Sequence, residues 1–192
     1  MRTPLFLTLA LVLATVAAAG DIHGTVACKG LRDSADAVVY VDAVPGKTFP
    51  APQAHAKINQ QSLVFSPHVL PVLLGTTVDF VNADTVLHNV FSPDACAGKF
   101  NLGTWPRGQA RSHVFAKECA AAILCAVHPE MEAYVVVVPT PYFAVTAKDG
   151  SYRIPDTPDG AYVLKVWHPK RKPGRRTITV RGETEASFEL GH

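Results

Sequence analysis

Apolar and β-branched residues fall in short runs along this chain, and several runs alternate apolar with polar positions between Gly, Pro, Asn and Asp. A period of two bounded by turn residues marks half-buried strands, and its repetition at short spacing marks a β-sandwich or barrel. The pattern predicts strands at 22–27, 37–42, 62–65, 76–82, 89–91, 112–115, 123–125 and 134–139. A second group is predicted at 142–147, 151–154, 160–167, 176–180 and 185–190. The alanine-rich window 116–124 is the one helix-like stretch, but Cys119 and the strand expected before Cys125 weigh against a helix there. Fifteen prolines oppose long helices anywhere. The fold class expected is all-β.

The pattern breaks at VVVVPTPYF, where Pro139 and Pro141 close one strand-rich block. Beyond it, a hairpin on Asp149–Gly150 and a turn on Asp159–Gly160 lead into a long alternating strand. The N-terminal piece IHGTVACKGLRDSADAVVYVD offers two strands and a turn, too little for a sheet of its own.

Residues 1–19 stand apart. Arg2, an apolar run from Leu5 to Ala19 and small residues at Ala17 and Ala19 have the layout of a secretory signal cleaved after Ala19. The run is short for a membrane span, and Asp21 and His23 follow at once. The expectation is export to the periplasm through a cleaved signal, with no integral membrane segment afterwards.

Of 192 residues, 48% are hydrophobic and 18% charged, enough for one large or two small cores. Setting Arg2 aside leaves 17 basic against 16 acidic side chains. The segment KVWHPKRKPGRR holds six of the basic ones (Lys165, Lys170, Arg171, Lys172, Arg175, Arg176) and no acid, so the remainder carries −5. With Pro169, Pro173 and Gly174 it reads as a solvated hairpin tip. An acidic partner is the alternative. Aromatic residues are not interleaved with the charges, which argues against nucleic acid.

Candidate chemistry centres on LCAVHPEM, which places Cys125, His128 and Met131 three apart. Thiolate, imidazole and thioether together suit copper, and a blue-type site needs one more histidine. His88 is available, just past a strand ending at Asn82–Asp84. Three other readings stand beside copper. Zinc would use Cys125 and both histidines, but Met131 is a poor zinc ligand. Cys125 could be a nucleophile with His128 or His88 as base, although no oxyanion-hole segment is legible. A buried Cys and Met with surface histidines is the plainest. His23, His55, His68, His113, His168 and His192 show no ligand spacing; of these His68, ahead of Gly75 in FSPHVLPV, is the one to watch.

The stretch from Gly75 to Val90, with its N-x-D…H-N-V segment, and the closing Cys-x-x-His-x-x-Met loop with Pro129 after the histidine resemble the cupredoxin family, in its short-loop amicyanin-like form. The resemblance implies a Greek-key β-sandwich over 50–139 and one mononuclear copper ion. It implies His88, Cys125 and His128 as equatorial ligands, Met131 as axial ligand and Asn89 as the residue tying the two ligand loops together. In an oxidising compartment a disulfide is favoured, and pairing Cys96 with Cys119 would brace both ligand segments as in some plant cupredoxins. Cys28 is then free and buried; the alternative leaves Cys96 and Cys119 unpaired.

The tail motifs, D-G-x-Y at 149–152 and P-D-G-A-Y-x-L-x-V at 158–166, resemble the transthyretin-like β-sandwich of carboxypeptidase regulatory domains. That family opens on a strand pair, matched here by Gly24–Val26 and Ala37–Val41. The expected architecture is a second, smaller sandwich built from 20–48 and 140–192 with the copper unit inserted, or two consecutive domains. Together these imply a non-enzymatic, exported blue copper protein that carries one electron to a redox protein partner. Cys125 would give the covalent path and His128 the exposed point of electron transfer, beside Pro129 and Glu130. The alternative is a periplasmic carrier or buffer that hands on the metal itself; a third is an adhesion-like protein with a vestigial site.

Overall fold

The computed structural model describes residues 19–191; residues 1–18 of the expected signal segment lie outside the described residues. Those residues are all-β. The chain runs through β1 (Ala19–Cys28) and β2 (Val38–Val41), then β3 (Ala56–Gln61), β4 (Val64–Ser66), β5 (Val69–Leu73) and β6 (Thr77–Asn82). It continues with β7 (His88–Phe91), β8 (Asn101–Trp105), β9 (Ala110–Val114), β10 (Cys119–Leu124) and β11 (Glu132–Val138). Last come β12 (Phe143–Val145), β13 (Ser151–Pro158), β14 (Gly160–His168), β15 (Arg171–Val180), β16 (Thr184–Glu185) and β17 (Phe188–Leu190).

The strands form two sandwiches. In one, the sheet β4-β3-β6-β9 faces the sheet β5-β11-β10-β7-β8. Alternate residues of each strand turn inward, and Ile58, Phe80, Phe115, Trp105, Ile123 and Val135 fill the space between. In the other, β13-β1-β16, with β17 also on β1, faces β12-β2-β14-β15. Its core includes Ile22, Val39, Ile154, Leu164 and Val180. Strands from the two ends of the chain are thus partners: β1 pairs with β13, and β2 with β12 and β14.

A third apolar cluster lies between the sandwiches. Val69, Val136 and Val138 of one meet Val38 of the other, with Tyr40, Tyr134, Phe143 and Trp167 packed around them. The Tyr134 and Trp167 rings lie 5.4 Å apart, and His68 Nδ1 is 2.7 Å from the Asp36 carboxylate across the same junction. Strand β11 is therefore covered on both faces, which accounts for its unbroken VVVV run.

Three strands escape the alternation pattern. Strand β3 carries a single strongly apolar side chain, Ile58, and turns Gln60 inward beside it. Strand β5 contains Pro71, tolerated because β5 is the edge of its sheet. Strand β8 contains Gly103 at φ 75°. The window 116–124 is strand β10 over most of its length. The basic segment holds the expected hairpin tip, a turn at Pro169–Lys170 between β14 and β15, but Pro173 and Gly174 lie inside edge strand β15 and not in the turn. Its charges divide. Arg171 is buried and donates to the Lys29 carbonyl, whereas Lys172, Arg175 and Arg176 are exposed. A proline and cations along an edge block pairing with another chain.

Candidate metal centre

Pairing of Leu124 with Phe91 sets the end of β10 beside β7 and so brings two remote segments together. Cys125 follows β10 directly. The chain then loops through His128 and Met131 before Glu132 pairs back to Leu124. The His128 carbonyl accepts the Met131 N–H at 3.0 Å, which closes the loop tightly.

Across this junction His88, Cys125 and His128 place their ligand atoms within 4.8 Å of one another. His88 Nδ1 and His128 Nδ1 are 3.1 Å apart, and Cys125 Sγ is 4.0 Å from His128 Nδ1. His88 is 0%, Cys125 3% and Met131 1% exposed, while His128 is half-buried. Met131 belongs to the same core cluster as Cys125. Val86, Leu87 and Val127, chain neighbours of the two histidines, are exposed and apolar.

The donor set fits a single metal ion. Bonds of about 2.0–2.1 Å to imidazole and about 2.3 Å to thiolate let one ion bridge two nitrogens up to roughly 4.1 Å apart, and nitrogen and sulfur up to roughly 4.3 Å. Two of the three pairs, at 3.1 and 4.0 Å, lie inside these limits, and all three lie within 4.8 Å. A thiolate with two imidazoles, beside a buried methionine, is a soft set that favours copper over a hard cation.

Asn89 works as a clasp. Its Oδ1 accepts the Ala126 N–H at 3.2 Å, and its Nδ2 donates to Asn101 Oδ1 and to the Gly103 carbonyl, both at 2.8 Å. Its backbone N–H points at Cys125 Sγ at 3.5 Å. One residue thus links the Cys125 loop, the His88 strand and β8. Gly103 supplies the left-handed backbone this arrangement needs, and its own N–H returns to Asn101 Oδ1 at 2.9 Å.

The loop before His88 is shaped by Asn82, which is fully buried. Its Nδ2 donates to the carbonyls of Val86 and Trp105 at 2.8 and 2.9 Å, and its Oδ1 accepts the Asp84 N–H at 2.9 Å. Asp84 in turn lies 3.0 Å from His88 Nε2. The Leu63 N–H foremost, and then His88, hold the Asp84 carboxyl down at about 2. Neither Asn82 nor Asp84 stands out as a site residue in the sequence; their place in the N-x-D…H spacing is the one signal that marks them.

Cys96 and Cys119 are disulfide-bonded, with Cα atoms 6.1 Å apart. Cys96 sits in a 3-10 turn, Ala95–Ala97, and Cys119 opens β10. The same turn is tied to β10 by Asp94 Oδ2, which accepts the Ala122 N–H at 2.7 Å. Cys28 is buried and unpaired, and burial pushes its thiol up. The other described histidines lie away from the site: His55 pairs with Asp79, and His168 accepts the Lys170 N–H. Among the described residues no helix is long and apolar enough to cross a membrane.

No family model and no curated protein matches this chain. Among solved structures, a purple cupredoxin from Nitrosopumilus maritimus is 30% identical, over 43% of this chain and 98% of that one, with a TM-score of 0.40. The Cu(I) form of an amicyanin variant is 22% identical over 52% of this chain and 97% of its own, with a TM-score of 0.42. An oxidised amicyanin variant is 23% identical over the same shares, also at 0.42. The structural neighbours of this all-β chain are cupredoxins, similar to it over about half its length.

Proposed function

We propose that this protein is an exported type 1 copper protein that carries single electrons and catalyses no reaction of its own. The observation that carries the reading is the convergence of one cysteine and two histidines within 4.8 Å, in a core that also buries Met131. His88 and His128 would hold the ion through their Nδ1 atoms, Cys125 through its thiolate and Met131 as a weak axial donor. Bound copper supplies a one-electron couple between Cu(I) and Cu(II).

The residues around the site are suited to that task. His88, Cys125 and Met131 exclude water by burial, and Asn89 fixes the spacing of both ligand loops. A donor set held this firmly changes little between oxidation states, so little reorganisation accompanies electron transfer. His128 is the ligand that reaches the surface, and Val127, Leu87 and Val86 give that rim an apolar face for a redox protein partner. The inserted arrangement, a copper unit at 50–139 within a transthyretin-like sandwich of 20–48 and 140–192, belongs to the same proposal. So do the cleaved signal at 1–19 and a periplasmic location.

Voltammetry of the copper-loaded protein, compared with a Cys125→Ser variant, tests the reading. A reversible one-electron wave that depends on Cys125 is expected. Rapid loss of copper to a chelator with no reversible wave would instead mean that the protein hands on the metal.

A further inference from the structure

The buried ring of His88 has two nitrogens with different surroundings. Nδ1 faces His128, whereas Nε2 faces Asp84 Oδ2 at 3.0 Å. A carboxylate can only accept, so Nε2 carries the proton and the Nδ1 lone pair is directed into the site. Asp84 is 17% exposed and His88 not at all, so little water screens the contact.

Asp84 is itself held from two sides. Its backbone N–H is bound by Asn82 Oδ1, and its Oδ2 also accepts the Leu63 N–H at 3.0 Å. Leu63 and Ser62 form the two-residue turn between β3 and β4, and both have left-handed backbones, φ 59° and 55°. Such a turn ordinarily takes Asn and Gly. Here a leucine adopts the strained conformation, and its amide is presented to the carboxylate that also holds His88. Strain kept in place next to a candidate site is a mark of a required geometry.

Resting on the copper reading above, we propose that Asp84 is a positioning residue: it fixes the tautomer of His88 and, by its charge on Nε2–H, strengthens Nδ1 as a donor to the oxidised metal. A carboxylate behind a ligating imidazole raises the ligand's basicity. A more basic ligand favours Cu(II) over Cu(I), so Asp84 lowers the reduction potential.

Two measurements test it. In the metal-free protein at neutral pH, nitrogen-15 NMR should find the His88 proton on Nε2; a proton on Nδ1 would overturn the proposal without reference to copper. In the copper-loaded protein, Asp84→Asn removes the charge and keeps the shape. Its Cu(II) affinity should fall about 10- to 100-fold and its Cu(I) affinity less. A tenfold change in their ratio raises the potential by about 59 mV. An Asp84→Asn protein that is folded, binds copper and has an unchanged potential would overturn the proposal. A merely structural Asp84 would lower the urea midpoint and leave the potential alone. A wild-type protein without a thiolate–copper band would sink the copper reading itself, and the His88 tautomer would be decided independently by the nitrogen-15 spectrum.

Discussion

Replacing Asn89 with Ala would remove three hydrogen bonds from one buried position, those to Ala126, Asn101 and Gly103. Each is worth about 1 kcal/mol net, and partners left without water cost somewhat more, so the expected loss is about 2–4 kcal/mol. Against a total stability of about 5–15 kcal/mol for a folded domain, that is a large share. At about 2–4 °C per kcal/mol for a chain of this size, melting should fall by about 5–15 °C. Near-ultraviolet circular dichroism of the metal-free protein, followed through thermal unfolding, reads it directly. The clasp also spaces the ligand loops, so the variant should bind Cu(II) more weakly than wild type, with a shifted band. A stability loss under about 0.5 kcal/mol, the size of an ordinary surface change, would refute the clasp, because bonds of that number and burial cannot vanish at so small a cost.

Opening the disulfide with paired Cys96→Ser and Cys119→Ser changes releases a 23-residue separation. By chain entropy this costs about 3 kcal/mol, seen as a lower urea midpoint; an unchanged midpoint would show that Asp94 alone holds the turn to β10. His113 stacks on Phe100 at 3.8 Å and bonds the Ala97 carbonyl, and burial holds its imidazole below the usual 6.5. The unfolded chain therefore takes up a proton that the folded state resists, and stability falls as pH drops from about 6.5 through the lower folded value. His113→Phe should flatten that part of the dependence in urea titrations at about pH 7 and about pH 5; identical slopes for the two proteins would contradict it.

Much of the fold was legible in the sequence because inward-facing residues alternate strictly where one face is wet, as in β6 and β14. The missing strands fail that rule for physical reasons. Gln60 takes a core position on β3, Pro71 sits on an edge strand where no ladder bond is lost, and Gly103 adds no side chain to the pattern. In the basic segment the hairpin turn was legible at Pro169, whereas Pro173 and Gly174, turn residues by habit, are accommodated within edge strand β15. At the site, Cys125, His128 and Met131 announce themselves by spacing, and His88 by its neighbour Asn89. Asp84 does not. Its relation to His88 exists only once the loop fixed by Asn82 folds the carboxylate under the ring, a geometry that residue identity alone does not encode.

Whether His88, Cys125, His128 and Met131 form a blue copper site is decided by Cu(II) titration of the purified protein spanning residues 20–192. Visible absorption and electron spin resonance should show an intense thiolate-to-copper band with narrow copper hyperfine splitting at one equivalent. A pale protein with ordinary copper signals, or no binding, would contradict it.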